Sequence, residues 1–401
     1  MNDPSVLRML GELLDGAHLA APDQLPDVIA SAALQIGWTA SVYLADYEQV
    51  VLVPLLPEGV WGEQLLIEST VAGRAFRLLQ SVPVAHGAQL HLWVPIVDGV
   101  ERLGVMNLGL PADIDLDARE FIDSVRWFAH LSGHLIAAKG PYGDTYHRLR
   151  SRRPRTVASE LVWSMLPPLT TAVDGLVISA ILEPAHAVAG DMFDYSIASD
   201  RAKVAIIDAT GHDIHSGVIG AVAVSAYRNA RHRELALPAI TRHVDDALSE
   251  LGLDTYATGV FGDLDLRTGQ FSMLNAGHPS PLVLRNGRVV KSLDNGRRTL
   301  LGLAPRPAAD TIATEQLEPG DWLILYTDGV TEARDDQRAF FGLERFIDII
   351  ERCSADDQSA PETVRRIAGT VLEYQQGVLQ DDATIMIVQW RTNHEVDLYA
   401  I

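Results

Sequence analysis

Cysteine is almost missing from this chain of 401 residues: Cys353 stands alone, so no intramolecular disulfide can form. A reducing compartment fits that usage. Cations are scarce too, with 32 Lys and Arg against 53 Asp and Glu and a formal net charge of −21. Such a surface repels nucleic acid and anionic membrane, which argues against both as partners. No stretch approaches the roughly 20 uninterrupted apolar residues that span a bilayer. The opening Met-Asn-Asp-Pro-Ser-Val lacks the basic patch and apolar core of a secretion signal. A cytoplasmic location is expected.

What is present reads as a folded protein. Hydrophobic residues make up 47% and charged residues 21%, an ordinary balance for a globular chain. The length favours two or three domains over one core.

Three segments follow in order. Apolar residues at Leu25, Val28, Ile29, Ala32, Ala33 and Ile36 have helical spacing. Strand-like runs come next at 40–44 and 50–56, then a helix at 70–79. Segments 91–97 and 102–110 predict a hairpin around Asp98-Gly99, and 117–138 a long amphipathic helix. This makes a self-contained domain over 1–139. From 140 to 168 a linker is expected, with Gly140, Pro141 and Gly143 breaking the helix and a short helix from Thr156 to Met165. Its basic run, Arg148, Arg150, Arg152, Arg153 and Arg155, is read as pairing with the flanking domains of so acidic a chain. Residues 169–401 are mostly β, with strands near 177–182, 203–207, 257–264, 270–275, 322–326 and 384–390. Paired helices at 216–231 and 237–251, and others at 343–353 and 361–374, suggest two sheets flanked by helices. The fold class is α+β.

Four aspartates carry the chemistry: Asp191, Asp208, Asp328 and Asp381. Each is read as lying where an apolar strand meets a turn. A lone carboxylate there costs several kcal/mol to bury, about as much as any unpaired charge, and hard divalent cations are the usual remedy. In Ile207-Asp208-Ala209-Thr210-Gly211-His212, the Asp208 carboxylate can bridge two cations and the Ala209 carbonyl can add a neutral oxygen. Asp328-Gly329 repeats the strand-to-Asp-Gly device, and Asp381-Asp382 directly precedes the last strand. Alone, Asp328 reads as a turn and Asp382 as a strand cap. The combination in this order points to a hydrolase centre with a metal pair.

Five blocks together resemble the SpoIIE-type serine/threonine phosphatases, a bacterial branch of the metal-dependent PPM phosphatases. They are Val188-Ala189-Gly190-Asp191-Met192-Phe193-Asp194, the Asp208 block, Leu274-Asn275-Ala276-Gly277-His278-Pro279, Tyr326-Thr327-Asp328-Gly329-Val330-Thr331-Glu332 and Asp381-Asp382-Ala383-Thr384. The resemblance runs from about Glu160 to the C-terminus. It implies an αββα sandwich and hydrolysis of phosphoserine or phosphothreonine with two Mn²⁺ or Mg²⁺ ions. By motif, Asp208 would bridge the ions, with Asp191 and the Ala209 carbonyl on one and Asp328 and Asp381 on the other. Asp382, Asp194 and Gly329 are further candidates. His212 has two readings, proton donor to the leaving oxygen or brace of the turn. Asn275 and His278 read as holding their loop in place. Two departures stand out: Ala189 replaces a usual glycine, and Asp213 stands where glycine commonly follows the histidine. Asp213 could bind a further ion through water, slow catalysis by repulsion, or face solvent.

Residues 7–138 are similar to a GAF sensory domain, through element order and Thr70-Val71-Ala72-Gly73-Arg74-Ala75. That similarity implies a small-molecule ligand, a homodimer, and control of the phosphatase through the linker helix. Trp38, Tyr43, Trp61, His91 and Trp93 are candidate pocket residues, although aromatic residues at such spacing read more readily as core. The family's substrates are phosphorylated anti-sigma factor antagonists of STAS type. A scaffold that binds a partner-switching protein without catalysis is the competing class. The ligand aspartates favour the enzyme and Asp213 the scaffold. A nucleotide hydrolase or cyclase lacks its glycine-rich phosphate loop here.

Overall fold

The computed structural model describes every residue except 1–3, 57–61, 87–88, 112, 153–154, 184–189, 199, 212–213, 253–254, 304–309, 378, 392–397 and 399–401. The chain forms two compact units, residues 1–154 with 396–401, and residues 155–395.

The first unit is built on a six-stranded antiparallel sheet in the order 65–66, 51–54, 39–45, 101–110, 89–98, 82–86. Alternation decides its faces: Val42 and Leu44 pack with Val94, Ile96, Met106 and Leu108 against helices. Those helices are Pro4–Leu19, Leu25–Leu34 and Arg119–Lys139. The Pro4–Leu19 helix was not anticipated, although Val6, Met9, Leu13 and Ala17 give it a buried face at helical spacing. The opposite sheet face is partly covered by helix Val71–Leu78, where Phe76, Ala72 and Ala75 meet Leu52, Ile67 and Val105. Thr70 caps that helix by accepting from the Gly73 amide at 3.0 Å. Trp38 belongs to the core, edge-on to Phe121, whereas Tyr43 and Trp93 pair on the half-covered face. Trp61 lies outside the described residues.

The basic run is engaged by its own chain. Arg150 donates to the Ala45 carbonyl at 2.8 Å and lies over the Tyr47 ring. Arg152 reaches Asp46 at 3.7 Å, and Arg155 covers the Trp163 ring. Arg153 lies outside the described residues.

The second unit stacks two six-stranded sheets. One runs 297–298, 270–276, 257–265, 201–209, 191–197, with 313–316 added beside 270–276. The other runs 288–292, 282–285, 322–326, 383–390, 176–183, 170–173. Between them lies one apolar core, to which Leu176, Ile178, Ala180 and Leu182 bring one sheet and Val204, Ile206, Val260 and Leu274 the other. Helices Ile214–His232 and Leu237–Leu251 cover the first sheet, and Leu343–Ala355 and Ala360–Tyr374 the second. Tight turns are made by residues that tolerate them. Asn286 and Gly287 both take positive φ, 51° and 75°, as a two-residue hairpin of the favoured hand requires. Strand Asp191–Ile197 was not foreseen, because Asp191, Asp194 and Ser196 mask its alternation.

Candidate metal centre

Asp191 opens its strand rather than ending one, and register places it directly opposite Asp208 on the neighbouring strand Arg201–Ala209. Thr258 is paired with Asp208 from the other side. Facing residues of an antiparallel pair share one side of the sheet, so two carboxylates and a hydroxyl form a row. The opposite sheet supplies the rest. Asp328 opens the short helix Asp328–Thr331 directly after strand Trp322–Tyr326, and Asp381 and Asp382 precede strand Ala383–Trp390. These two strands are neighbours in register, Tyr326 facing Ile385.

Close backbone approach fixes this junction. A Cβ on Gly329 would stand 1.8 Å from the Asp382 carbonyl oxygen, and one on Gly190 2.5 Å from that of Ala209. Only glycine lets the Asp328 turn lie against the Asp382 backbone, and the Gly190 turn against Ala209. The Gly190 amide in turn donates to Asp382 Oδ2 at 2.5 Å. Thus the carboxylate of one sheet's last strand grips the turn that presents Asp191.

Electrostatics report the convergence. Burial, followed by Asp328, Asp381 and Asp382, pushes the Asp208 carboxyl up to about 8, against a hydrogen bond from Thr258. Burial and then Asp208 and Asp382 hold Asp191 well above the carboxylate range, although Thr384 and Thr327 oppose the rise. Asp328 is also raised, by burial first and then by Asp381 and Glu332. Asp191 is 2% exposed and Asp382 5%, whereas Asp381 is open to solvent. Carboxylates that disfavour one another's charge this way form a hard oxygen donor set short of cations. Among the described residues no three such groups are gathered tightly enough to ligate one ion as they stand. The donor chemistry, carboxylates with a backbone carbonyl, fits hard divalent ions.

The loop after strand Gln270–Ala276 is braced as a unit. Asn275 accepts from the His278 amide at 2.8 Å and donates to its carbonyl at 3.0 Å. Arg297 donates to the same carbonyl at 3.2 Å. His278 is buried, with Nδ1 2.7 Å from Thr258 Oγ1, and that hydroxyl lies 3.5 Å from Asp208 Oδ2. Burial pulls His278 down to about 3, with Arg297 adding to the fall and the Tyr326 backbone opposing it. Among the described residues Nε2 has no hydrogen-bond partner.

Asp194 is a correction. It lies three residues beyond Asp191, hence on the opposite face, where Arg228 and Arg231 of helix Ile214–His232 bind its two oxygens at 2.9 and 2.8 Å. Both lone-pair sets are committed to guanidinium, so Asp194 is not available to a metal. His212 and Asp213 lie outside the described residues. Three threonines were missed: Thr258, Thr327 and Thr384. Two of them adjoin the recognised aspartates, in Thr327-Asp328 and Asp382-Ala383-Thr384, and that adjacency was the available signal. Thr258 had none, because its place depends on strand register.

Residues 198–391 match the family model for Stage II sporulation protein E (SpoIIE). The similarity to that family covers a little under half of the chain. The chain is similar to part of protein IcfG of Synechocystis sp., 26% identical over 280 residues, covering 62% of this chain and 42% of that one. It is also similar to phosphoserine phosphatase RsbU of Bacillus subtilis, 25% identical over 244 residues, covering 58% and 69%. The chain thus spans less than half of IcfG. Among solved structures, the RsbU and RsbW domains of Rv1364c from Mycobacterium tuberculosis align with TM-score 0.47 and 25% identity over 54% of this chain and 60% of that one. The SiaA-PP2C domain of Pseudomonas aeruginosa aligns with TM-score 0.47 and 24% identity over 53% and 84%. No helix among the described residues is long and apolar enough to cross a membrane.

Proposed function

We propose that this chain is a metal-dependent protein phosphatase that removes phosphate from serine or threonine of a signalling protein, under control of its N-terminal unit. The observation that carries this reading is the Asp191–Asp208 cross-strand pair, whose charges are opposed by Asp328, Asp381 and Asp382 from the facing sheet. Asp208 would serve both ions of a Mn²⁺ or Mg²⁺ pair, with Asp191 and the Ala209 carbonyl toward one and Asp328 and Asp381 toward the other. Bound there, such a pair acidifies a water and neutralises phosphoryl oxygens.

The chain's own residues do the remaining work. Asp208 is the shared centre of the donor set, and Thr258 and the Asn275–His278 loop limit its movement. Asp382 orders the Gly190 turn through its amide. Asp381 is exposed, so a phosphorylated side chain could reach it from solvent. No protein nucleophile is invoked, and buried Cys353 takes no part. His212 would give a proton to the departing oxygen.

The substrate class implied by the resemblance is a phosphorylated anti-sigma factor antagonist of STAS type, and the relative RsbU is named as a phosphoserine phosphatase. For the first unit we propose a GAF-like sensor and dimerisation module that takes a small ligand on the half-covered sheet face. There Tyr43 pairs with Trp93 and His91 hydrogen-bonds Asn107 at 2.9 Å. Release of phosphate from a phosphoserine protein or p-nitrophenyl phosphate with added Mn²⁺ tests the activity. Asp208→Asn and Asp328→Asn should each lower the rate by at least 100-fold. Equal rates in wild type and variants would overturn it.

A further inference from the structure

Asp191 is held unsymmetrically. Its Oδ2 accepts two hydroxyl hydrogen bonds of 2.7 Å, from Thr327 and from Thr384. Among the described residues Oδ1 accepts none. Both threonines are fully buried, Thr327 directly after strand Trp322–Tyr326 and Thr384 within strand Ala383–Trp390. Thr327 Oγ1 also accepts from the Thr384 amide at 3.0 Å, and the Thr327 amide donates to the Thr384 carbonyl at 3.0 Å.

Proton counting gives the direction of these bonds for Asp191 in its ionised form, the form a metal would hold. An ionised carboxylate only accepts, and each hydroxyl has a single proton. Thr327 receives the Thr384 amide, and its one proton has two acceptors in reach, Asp191 Oδ2 at 2.7 Å and the Asp382 carbonyl at 3.5 Å, of which Asp191 is the nearer. Among the described residues the Thr384 hydroxyl bonds to Asp191 alone. The Thr384 hydroxyl is not needed by its strand, since valine has the same branched shape and the flanking Ala383, Ile385 and Ile387 are apolar and buried, whereas the Thr327 hydroxyl also accepts the Thr384 amide.

We propose that Thr384 and Thr327 are positioning residues that occupy Oδ2 of Asp191 and leave Oδ1 as its single metal-facing oxygen. The inference rests on the metal-dependent reading given above and assigns these two side chains a part in it. Groups that orient a ligand in this way typically change metal affinity by about 10–100-fold when removed.

Calorimetric titration of the full chain with Mn²⁺ tests it, alongside circular dichroism of the metal-free proteins. Thr384→Val should bind Mn²⁺ at least tenfold more weakly than wild type while keeping its fold, and Thr384→Ser should stay within about threefold. Thr384→Ala gives the same comparison without a methyl facing Asp191, should the valine disturb folding. Wild-type affinity in the valine and alanine variants overturns the proposal, as does a serine variant as weak as valine. In both cases wild type still binds and the proposed function stands. A wild-type chain that takes up no Mn²⁺ overturns both.

Discussion

Asp191 and Asp208 face one another directly across two antiparallel strands. In most sheets like charges so placed would be selected against, since they destabilise the pair. Here the cost is concentrated where further carboxylates, Asp328 and Asp382, also converge.

That cost should be visible in the metal-free protein. Asp208 titrates near 8 when folded and near 3.8 as a free side chain, so the folded state holds the extra proton between those values. Stability therefore falls as pH rises from about 4 through 8. Asp208→Asn removes the titration, so its melting temperature at pH 8 should exceed that of wild type while catalysis is lost. Each kcal/mol relieved corresponds to roughly 2–4 °C. Differential scanning calorimetry in a chelator at pH 5, 6.5 and 8 gives the comparison, and a variant less stable than wild type at pH 8 refutes it.

The acid side has the opposite sign. His278 is depressed to about 3 from 6.5, so the unfolded chain binds more protons between these values. Its contribution is complete above about 6.5 and is lost as pH falls toward 3. His278→Gln should flatten the acid limb of the stability profile relative to wild type. An unchanged limb would mean the imidazole is not buried neutral.

Asp194 should behave unlike the ligand aspartates. Asp194→Ala leaves Arg228 and Arg231 without their partner and should lower stability by about 1–3 kcal/mol, the range for a partly buried pair broken on one side. Mn²⁺ affinity should stay within about threefold of wild type, in contrast to the Asp208 variant. Loss of Mn²⁺ binding with unchanged stability would restore Asp194 as a ligand.

Two glycine substitutions form a matched pair. Gly329→Ala drives a methyl into the Asp382 carbonyl and should cost about 1–3 kcal/mol together with most of the activity. Gly369→Ala, in helix Ala360–Tyr374 with nothing within 4 Å of the added atom, should be neutral or stabilise by up to about 1 kcal/mol. Urea unfolding and phosphate release on both variants check this. An active, stable Gly329→Ala protein would show that the Asp328 turn does not need its contact.

Much of the architecture was legible because it follows local rules. The Asp98-Gly99 and Asn286-Gly287 hairpins lie where their turn residues demanded them, and helix Leu237–Leu251 keeps Ile240, Val244 and Leu248 buried. Strand Asp191–Ile197 was hidden because its polar residues are satisfied by partners remote in sequence, Asp191 by Thr327 and Thr384 and Asp194 by two arginines. Sequence could nominate Asp208 and Asp328 but could not pair Asp208 with Thr258, which depends on register between strands about 50 residues apart. The same applies to Asp194. Its place in a motif suggested metal, whereas the two-residue period of a strand turned it to the helix side.

The count of Mn²⁺ ions held by the full chain, by equilibrium dialysis at neutral pH, reaches the centre of this account. Two ions per chain are predicted for wild type, with Asp208→Asn losing both and Asp328→Asn losing one. A wild-type chain that retains none, or an Asp208→Asn chain that retains both, would contradict it.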